Sequence, residues 1–223
     1  MEQLHEIFGK IMYGSEALAA FVSIVYFNKI KKTYWVYFAI YLIFIFLSET
    51  IGDRNIFPSK YKAIFFNYIV IPAEFIFFYW LYAVKSLNKP KLVFIFTGLY
   101  ILSFIPNEFF FSNRKIVFSL NYTLGALFLL YLVVLEYIKQ VNSSDILNFS
   151  NNKMFYINWG VTVFYIGTLP LFSFWSVFVE YHDLFDIYFL YFKISAIVMY
   201  ILFAISFILG KHSIEAWKNQ SSY

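Results

Sequence analysis

The last apolar stretch of the chain, residues 187–210, is IYFLYFKISAIVMYILFAISFILG, and its only charged residue is Lys193. About 20 predominantly apolar residues are enough to cross the hydrocarbon core of a bilayer as an α-helix. A strand of a membrane barrel would alternate polar and apolar residues, and this stretch does not. The stretch therefore predicts a membrane-spanning helix.

Six similar apolar runs precede this stretch, and charged or turn-forming residues separate them from one another. Because lipid does not tolerate open sheet edges, runs of this length can only be helices. We predict an all-α seven-transmembrane-helix bundle that forms a single integral membrane domain over residues 1–223. The predicted spans are near 6–27, 33–52, 62–84, 91–111, 116–138, 154–179 and 185–210.

Composition supports a membrane protein and excludes several other classes. Hydrophobic residues make up 61% of the chain and charged residues only 13%, compared with about 25% in soluble proteins. The chain has no cysteine, which excludes disulfides, thiolate metal sites and cysteine nucleophiles. The start of the chain carries Glu2 and Glu6 and lacks the basic segment of a secretory signal, so we expect the first span to be retained.

The distribution of basic residues predicts the orientation of the bundle. Seven spans place the termini on opposite sides, and the side with more Lys and Arg is cytoplasmic. One side would carry Lys29, Lys31, Lys32, Lys85, Lys89, Lys91, Lys139, Lys153, Lys211 and Lys218, and the other Lys10, Arg54, Lys60, Lys62, Arg114 and Lys115. We predict the N-terminus outside and the C-terminus inside, in a bacterial inner membrane. Basic residues dispersed in this way do not indicate a nucleic-acid partner.

Polar side chains within the spans are the candidate functional residues. A charge at the middle of the hydrocarbon layer costs about 2.5–3.5 kcal/mol on insertion scales, so such groups usually face a bundle interior. We expect them to line a pocket for ligand binding or proton coupling. The alternative is a structural hydrogen-bond network without a ligand. The candidates are Glu16, Glu49, Glu74, Lys193, Asn67 and Asn121.

Lys193 has an alternative of its own. Its long stem can reach toward the membrane interface, and Asp186 lies two turns earlier on the same helix face. A lysine paired near Asp186 would only be structural.

No catalytic or cofactor motif is present in the sequence. The three histidines, His5, His182 and His212, do not form a pair with the spacing of metal ligands on any helix. The chain also lacks a glycine-rich phosphate loop and the Gly-x-Ser-x-Gly elbow of hydrolases. The sequence therefore does not support an enzymatic activity, although membrane enzymes that act on lipids can have sparse motifs, and we predict no metal and no cofactor.

A lysine in the last of seven helices, with the N-terminus outside, resembles the microbial rhodopsins. That resemblance implies a retinal Schiff base at Lys193. The sequence departs from the family pattern, because Phe189 stands where an acid is expected and the third predicted span, 62–84, has no Arg before its carboxylate. A retinal-binding protein is a minor alternative, and visible absorbance would show it.

Several short segments resemble another group, the small aromatic-rich seven-helix bacterial membrane proteins that look like input modules of sensory proteins. This resemblance implies a non-catalytic sensor or accessory subunit with an interior pocket for a small or lipid-like ligand. To pass on a signal, such a module would require a signalling partner in the membrane or the cytoplasm. We also expect the lipid bilayer itself as a partner. The alternative is a small proton-coupled transporter or carrier. The segments are Glu49-Thr50-Ile51-Gly52, Ile71-Pro72-Ala73-Glu74-Phe75, residues 155–160 and Tyr165-Ile166-Gly167-Thr168.

Overall fold

The computed structural model describes residues 2–53, 58–106, 119–142 and 146–210. These residues are almost entirely helical and contain no β-strand, which confirms the all-α prediction. The α-helices are α1 (Glu2–Val25), α2 (Phe27–Ile30), α3 (Trp35–Asp53), α4 (Ser59–Phe65), α5 (Ile71–Tyr79), α6 (Pro90–Leu102), α7 (Ser119–Val141), α8 (Lys153–Ser173), α9 (Trp175–Glu180) and α10 (His182–Leu209). Two π-helical segments, Phe66–Val70 and Trp80–Ser86, and a short 3-10 helix, Ile146–Asn151, complete the described elements.

Six described helices are long and apolar enough to cross a membrane, as the sequence predicts for six of its seven spans. Within the predicted span 91–111, the described apolar helix covers Pro90–Pro106 and is shorter. The rest of that span and the start of the span 116–138 lie outside the described residues. The six long helices are Gln3–Val25, Trp35–Gly52, Tyr61–Ser86, Leu120–Val141, Lys153–Ser173 and Asp183–Leu209.

The predicted span 154–179 is broken into α8 and α9 in the structure. Pro170 lies inside the last turn of α8 and has no N–H to donate to the preceding turn. The helix ends at Ser173, and the Phe174 N–H closes it on the Pro170 carbonyl at 2.9 Å. The sequence therefore predicts the right apolar run, but it does not predict the break.

The helix Tyr61–Ser86 combines α4 and α5 with the two π-helical segments. The first π segment, Phe66–Val70, comes just before Pro72, which cannot donate a backbone hydrogen bond to that turn. Single π turns within α-helices are frequent at functional sites. Glu74 follows the proline by two residues and so lies next to this irregular turn.

Packed rings fill the centre of the bundle, where α3, α5 and α10 meet. The rings of Tyr41 and Phe77 stack with centroids 4.4 Å apart, and those of Phe38 and Phe207 stack at 5.5 Å. Lipid tails are as apolar as these side chains, so helix association depends on close packing. Each such ring pair contributes roughly 0.5–1.5 kcal/mol.

Lys153 is a buried lysine that joins the start of α8 to the end of α10. Its ammonium donates to the backbone carbonyls of Ser206 at 3.1 Å and Gly210 at 3.2 Å. It also lies 5.3 Å from the Phe207 ring centroid. The last carbonyls of a helix have no partner within the helix, and a cation there is favourable. Lys153 is therefore a cap that fixes these two helix ends together.

We predict that Gly125→Ala destabilises the bundle, because a Cβ there would lie 2.7 to 2.9 Å from ring atoms of Phe75. Overpacking of this kind typically costs about 1–3 kcal/mol. Gly98→Ala is the matched control, since a Cβ at Gly98 meets nothing within 4 Å and the substitution gains helix propensity. Thermal unfolding in detergent should show a lower midpoint for Gly125→Ala alone. Equal midpoints for the two variants would contradict the close approach.

Candidate functional site

The three predicted glutamates come from three different spans and border the same part of the bundle, where Glu16 is buried and Glu49 and Glu74 are half-buried. Glu16 on α1 is only 4% exposed, and its carboxylate interacts electrostatically with those of Glu49 on α3 and Glu74 on α5. Glu74 also interacts with Glu49. We call these three residues the acidic centre. The structure thus brings together half of the predicted site residues.

Three buried tyrosines surround the acidic centre. The Tyr41 hydroxyl donates to Glu74 Oε1 at 3.2 Å, and the Tyr165 hydroxyl also hydrogen-bonds Glu74. Tyr200 interacts electrostatically with all three carboxylates. Sequence reasoning missed these tyrosines, because the chain has 20 tyrosines and nothing in their spacing marks three of them as interior.

Within the acidic centre, one carboxylate oxygen of Glu16 lacks a partner. The Oε2 atom of Glu16 is buried and has no hydrogen-bond partner, which typically costs about 1–3 kcal/mol or more for a charged group. The ion pairs seen between described residues, such as Lys139 with Glu136, involve neither Glu16 nor Glu74. Negative carboxylates that interact where little water screens them repel one another, and a proton or a cation relieves that repulsion. This arrangement is chemically suited to take up positive charge.

A metal ion suits the acidic centre less well than a proton does. Within the described ranges, no group of three or more acidic or histidine side chains is arranged to hold a metal ion. The carboxylates of the acidic centre are therefore close enough to interact but are not arranged as ligands of one ion. A proton requires no such geometry.

Lys193 lies apart from the acidic centre. Its ammonium donates to the His5 carbonyl at 2.7 Å and lies 4.7 Å from the Phe189 ring centroid. His5 precedes Glu16 by eleven residues on α1, which is roughly 16 Å along the helix at 1.5 Å per residue. The structure therefore does not bring Lys193 into the same pocket as the carboxylates, because its long stem reaches toward the end of the bundle instead.

The alternative partner predicted for Lys193, Asp186, contacts His5 instead. Asp186 Oδ1 lies 3.6 Å from His5 Nε2. Lys193 and Asp186 thus both connect the N-terminal half of α10 to the start of α1, Lys193 by a hydrogen bond to the His5 backbone and Asp186 by its position beside the His5 ring. The retinal alternative stays a prediction.

The two predicted amides are buried but occupy different places. Asn67 lies in the π segment Phe66–Val70, seven residues or about 10 Å before Glu74 along the helix. Asn121 donates to Ser103 Oγ at 2.9 Å and so joins α7 to the end of α6. Its other amide atom, Oδ1, is buried without a hydrogen-bond partner. The contacts of Asn121 indicate a connection between helices.

A second buried polar cluster, which sequence reasoning missed, lies at the opposite end of the bundle. Glu136 is fully buried, and it accepts hydrogen bonds from Ser86 Oγ at 2.5 Å and from Gln140 Nε2 at 2.9 Å. Lys139 Nζ lies 3.9 Å from Glu136 and donates to the Ser86 carbonyl at 2.8 Å. We call these four residues the Glu136 cluster. Glu136 lies near the end of the predicted span 116–138, where a carboxylate can reach water. The sequence therefore does not predict that Glu136 is buried.

Comparison of the chain with protein-family models, with curated proteins and with solved structures finds no match in any of the three.

We predict that Tyr41→Phe destabilises the protein by about 1–2 kcal/mol, because the half-buried Glu74 carboxyl group loses a hydrogen bond. Tyr37→Phe is the matched control, since Tyr37 lies one turn earlier on α3 and is 55% exposed. Equilibrium unfolding in mixed micelles measures both variants. A Tyr41→Phe protein as stable as the Tyr37→Phe protein would show that the hydroxyl does not support Glu74.

Proposed function

We propose that the protein is a non-catalytic membrane sensor or accessory subunit whose acidic centre is a proton-binding site. The observation that carries this proposal is the meeting of three carboxylates, with the buried Glu16 Oε2 left without a hydrogen-bond partner. The residues of the site come from α1, α3 and α5, with tyrosines from α3, α8 and α10. Proton uptake would therefore change the electrostatic interactions among these five helices.

A chain of ring contacts gives the proposed site a way to affect the rest of the molecule. Tyr41, which donates to Glu74, stacks on Phe77, and the Phe77 ring centroid lies 5.8 Å from that of Trp80. Trp80 begins the π segment that ends at Ser86, which belongs to the Glu136 cluster. A shift of Tyr41 on protonation would pass along this chain. A partner protein in the membrane or cytoplasm would then respond to the shifted helix.

We also propose seven spans with the N-terminus outside, in a bacterial inner membrane. The apolar helix Pro90–Pro106 supports the additional span, and the ten lysines on one side support the orientation. Because the chain has no cysteine, single cysteines can test this in intact cells. We expect an impermeant maleimide to label Gln3→Cys in intact cells but Ser222→Cys only after permeabilisation. The reverse pattern would overturn the orientation.

We predict that the fluorescence of Trp80 changes between mildly acidic and mildly alkaline pH. The change should be lost in the double variant Glu16→Gln/Glu74→Gln, since the amides cannot exchange a proton, and also in Trp80→Phe, which removes the reporter. Glu6→Gln is the control, because Glu6 is an exposed carboxylate on α1 paired with Lys10. A response that survives in the double variant would refute the acidic centre as the proton site.

A proton-coupled carrier is the second candidate. The Glu136 cluster favours it, because this cluster and the acidic centre together place buried polar groups toward both ends of the bundle. Uptake driven by a proton gradient into vesicles would distinguish the two functions. Uptake that is lost in Glu74→Gln favours a carrier. A pH response without uptake favours a sensor.

A further inference from the structure

The Phe78 ring separates the acidic centre from a second group of polar side chains. Phe78 is fully buried, and its ring centroid lies 5.2 Å from that of Tyr41 and 6.4 Å from that of Tyr165. Those two tyrosines hold Glu74. Phe78 follows Glu74 by one turn and precedes Tyr82 by one turn along the same helix, and its ring centroid lies 6.4 Å from that of Tyr82.

Beyond Phe78 there are polar atoms that no described protein group satisfies. The Tyr82 hydroxyl and both side-chain polar atoms of Asn158 are buried and have no hydrogen-bond partner. Asn158 precedes Tyr165 by seven residues, which places it on nearly the same face of α8, about 10 Å away. Buried polar groups are normally satisfied, and ordered water is the usual partner where the protein supplies none.

These atoms lie next to the Glu136 cluster. Tyr82 interacts electrostatically with Glu136 and Tyr137. The Tyr137 hydroxyl pairs with Thr162 Oγ1 at 2.9 Å, and Thr162 in turn donates to the Asn158 backbone carbonyl at 2.6 Å. Tyr82, Asn158 and Glu136 therefore border the same part of the bundle.

The Glu136 cluster also has an exit to solvent. The Lys139 side chain is 42% exposed, whereas the Glu136 side chain beside it is only 1% exposed. Polar groups thus continue from the acidic centre, past Phe78, to a residue that reaches water.

We propose that water held by Asn158 and Tyr82 forms a proton path between the acidic centre and the Glu136 cluster, with the Phe78 ring as its barrier. This proposal rests on the proposed role of the acidic centre as a proton site. One proton leaves the Glu74 carboxyl group, crosses as an excess proton on the water and joins the Glu136 carboxylate. Glu136 then releases it to solvent beside Lys139, and Glu74 is protonated again through Glu49, near the end of α3. One O–H bond breaks and one forms at each transfer.

Proton flux into liposomes tests this path. The purified full chain is reconstituted with a pH-sensitive dye inside, and a potassium gradient with valinomycin drives the protons. We expect Phe78→Ala to raise the flux about tenfold over wild type, a change of ~1.4 kcal/mol in the barrier. Adding Asn158→Leu should return the flux to the wild-type level, since the water loses its amide partner.

Two controls keep the test specific to this path. Phe207→Ala removes an equally buried ring, which stacks on Phe38, and should not raise the flux. In the Phe78→Ala background, Tyr82→Phe should lower the flux, because it removes a hydroxyl that would hold the water. Tyr79→Phe should not lower it, because the Tyr79 hydroxyl already donates to the Gly125 carbonyl. All variants are first shown to be folded and monodisperse in detergent.

The outcomes separate this proposal from the one on which it rests. If folded Phe78→Ala conducts no faster than wild type, or if Asn158→Leu leaves its flux unchanged, the path is wrong. The Trp80 pH response could still be intact in that case, and the acidic centre would keep its role. If wild type shows no pH response at Trp80, the acidic centre itself fails.

Discussion

The electrostatic coupling of three carboxylates in an apolar interior is the constraint on which this structure depends. Glu16, Glu49 and Glu74 lie on three separate spans, so the coupling exists only while α1, α3 and α5 keep their mutual positions. Negative groups this close repel one another, and the surrounding protein offers little water to screen them. The proposed proton response rests on this coupling, because the charge of the group would depend on how many protons it carries.

Tyrosine makes such a centre possible in a membrane. Its ring packs like that of phenylalanine, and its hydroxyl supplies a donor at the end of the ring. Tyr41 shows both properties, since it stacks on Phe77 and donates to Glu74. The high aromatic content of the chain thus serves packing and polar satisfaction together. A core of leucine could fill the same space but would leave the carboxylates without donors.

The sequence predicts the spans well, because length and hydrophobicity alone decide whether a helix can cross a bilayer. It also predicts that Glu16 and Glu74 face the interior, because a short carboxylate at mid-depth has no other favourable place. Glu49 lies near the end of its span, so its depth alone fits the membrane interface equally well. The break after Pro170 was not foreseen, since proline inside a membrane helix is often tolerated without ending it.

Other parts of the site could not be predicted, for reasons that are also physical. These helices are mainly apolar, and although Asn158, Thr162 and Tyr165 recur at helical spacing on α8, that short stripe does not show which neighbouring helix it faces. Lys193 has a stem long enough to place its charge far from its own Cα, so its depth in the sequence does not give the position of its ammonium. Glu136 lay at a predicted span end, and only the packing of Ser86 and Gln140 around it reveals that it is buried.

A double-mutant cycle on Glu16→Gln and Glu74→Gln tests the central claim most directly. The unfolding free energies of the wild type, the two single variants and the double variant give the coupling between the two side chains. If the carboxylates share one centre, the effects of the single variants should differ from additivity by at least about 0.5 kcal/mol. Effects that add within about 0.3 kcal/mol would show that the two groups act independently, and the acidic centre would be contradicted.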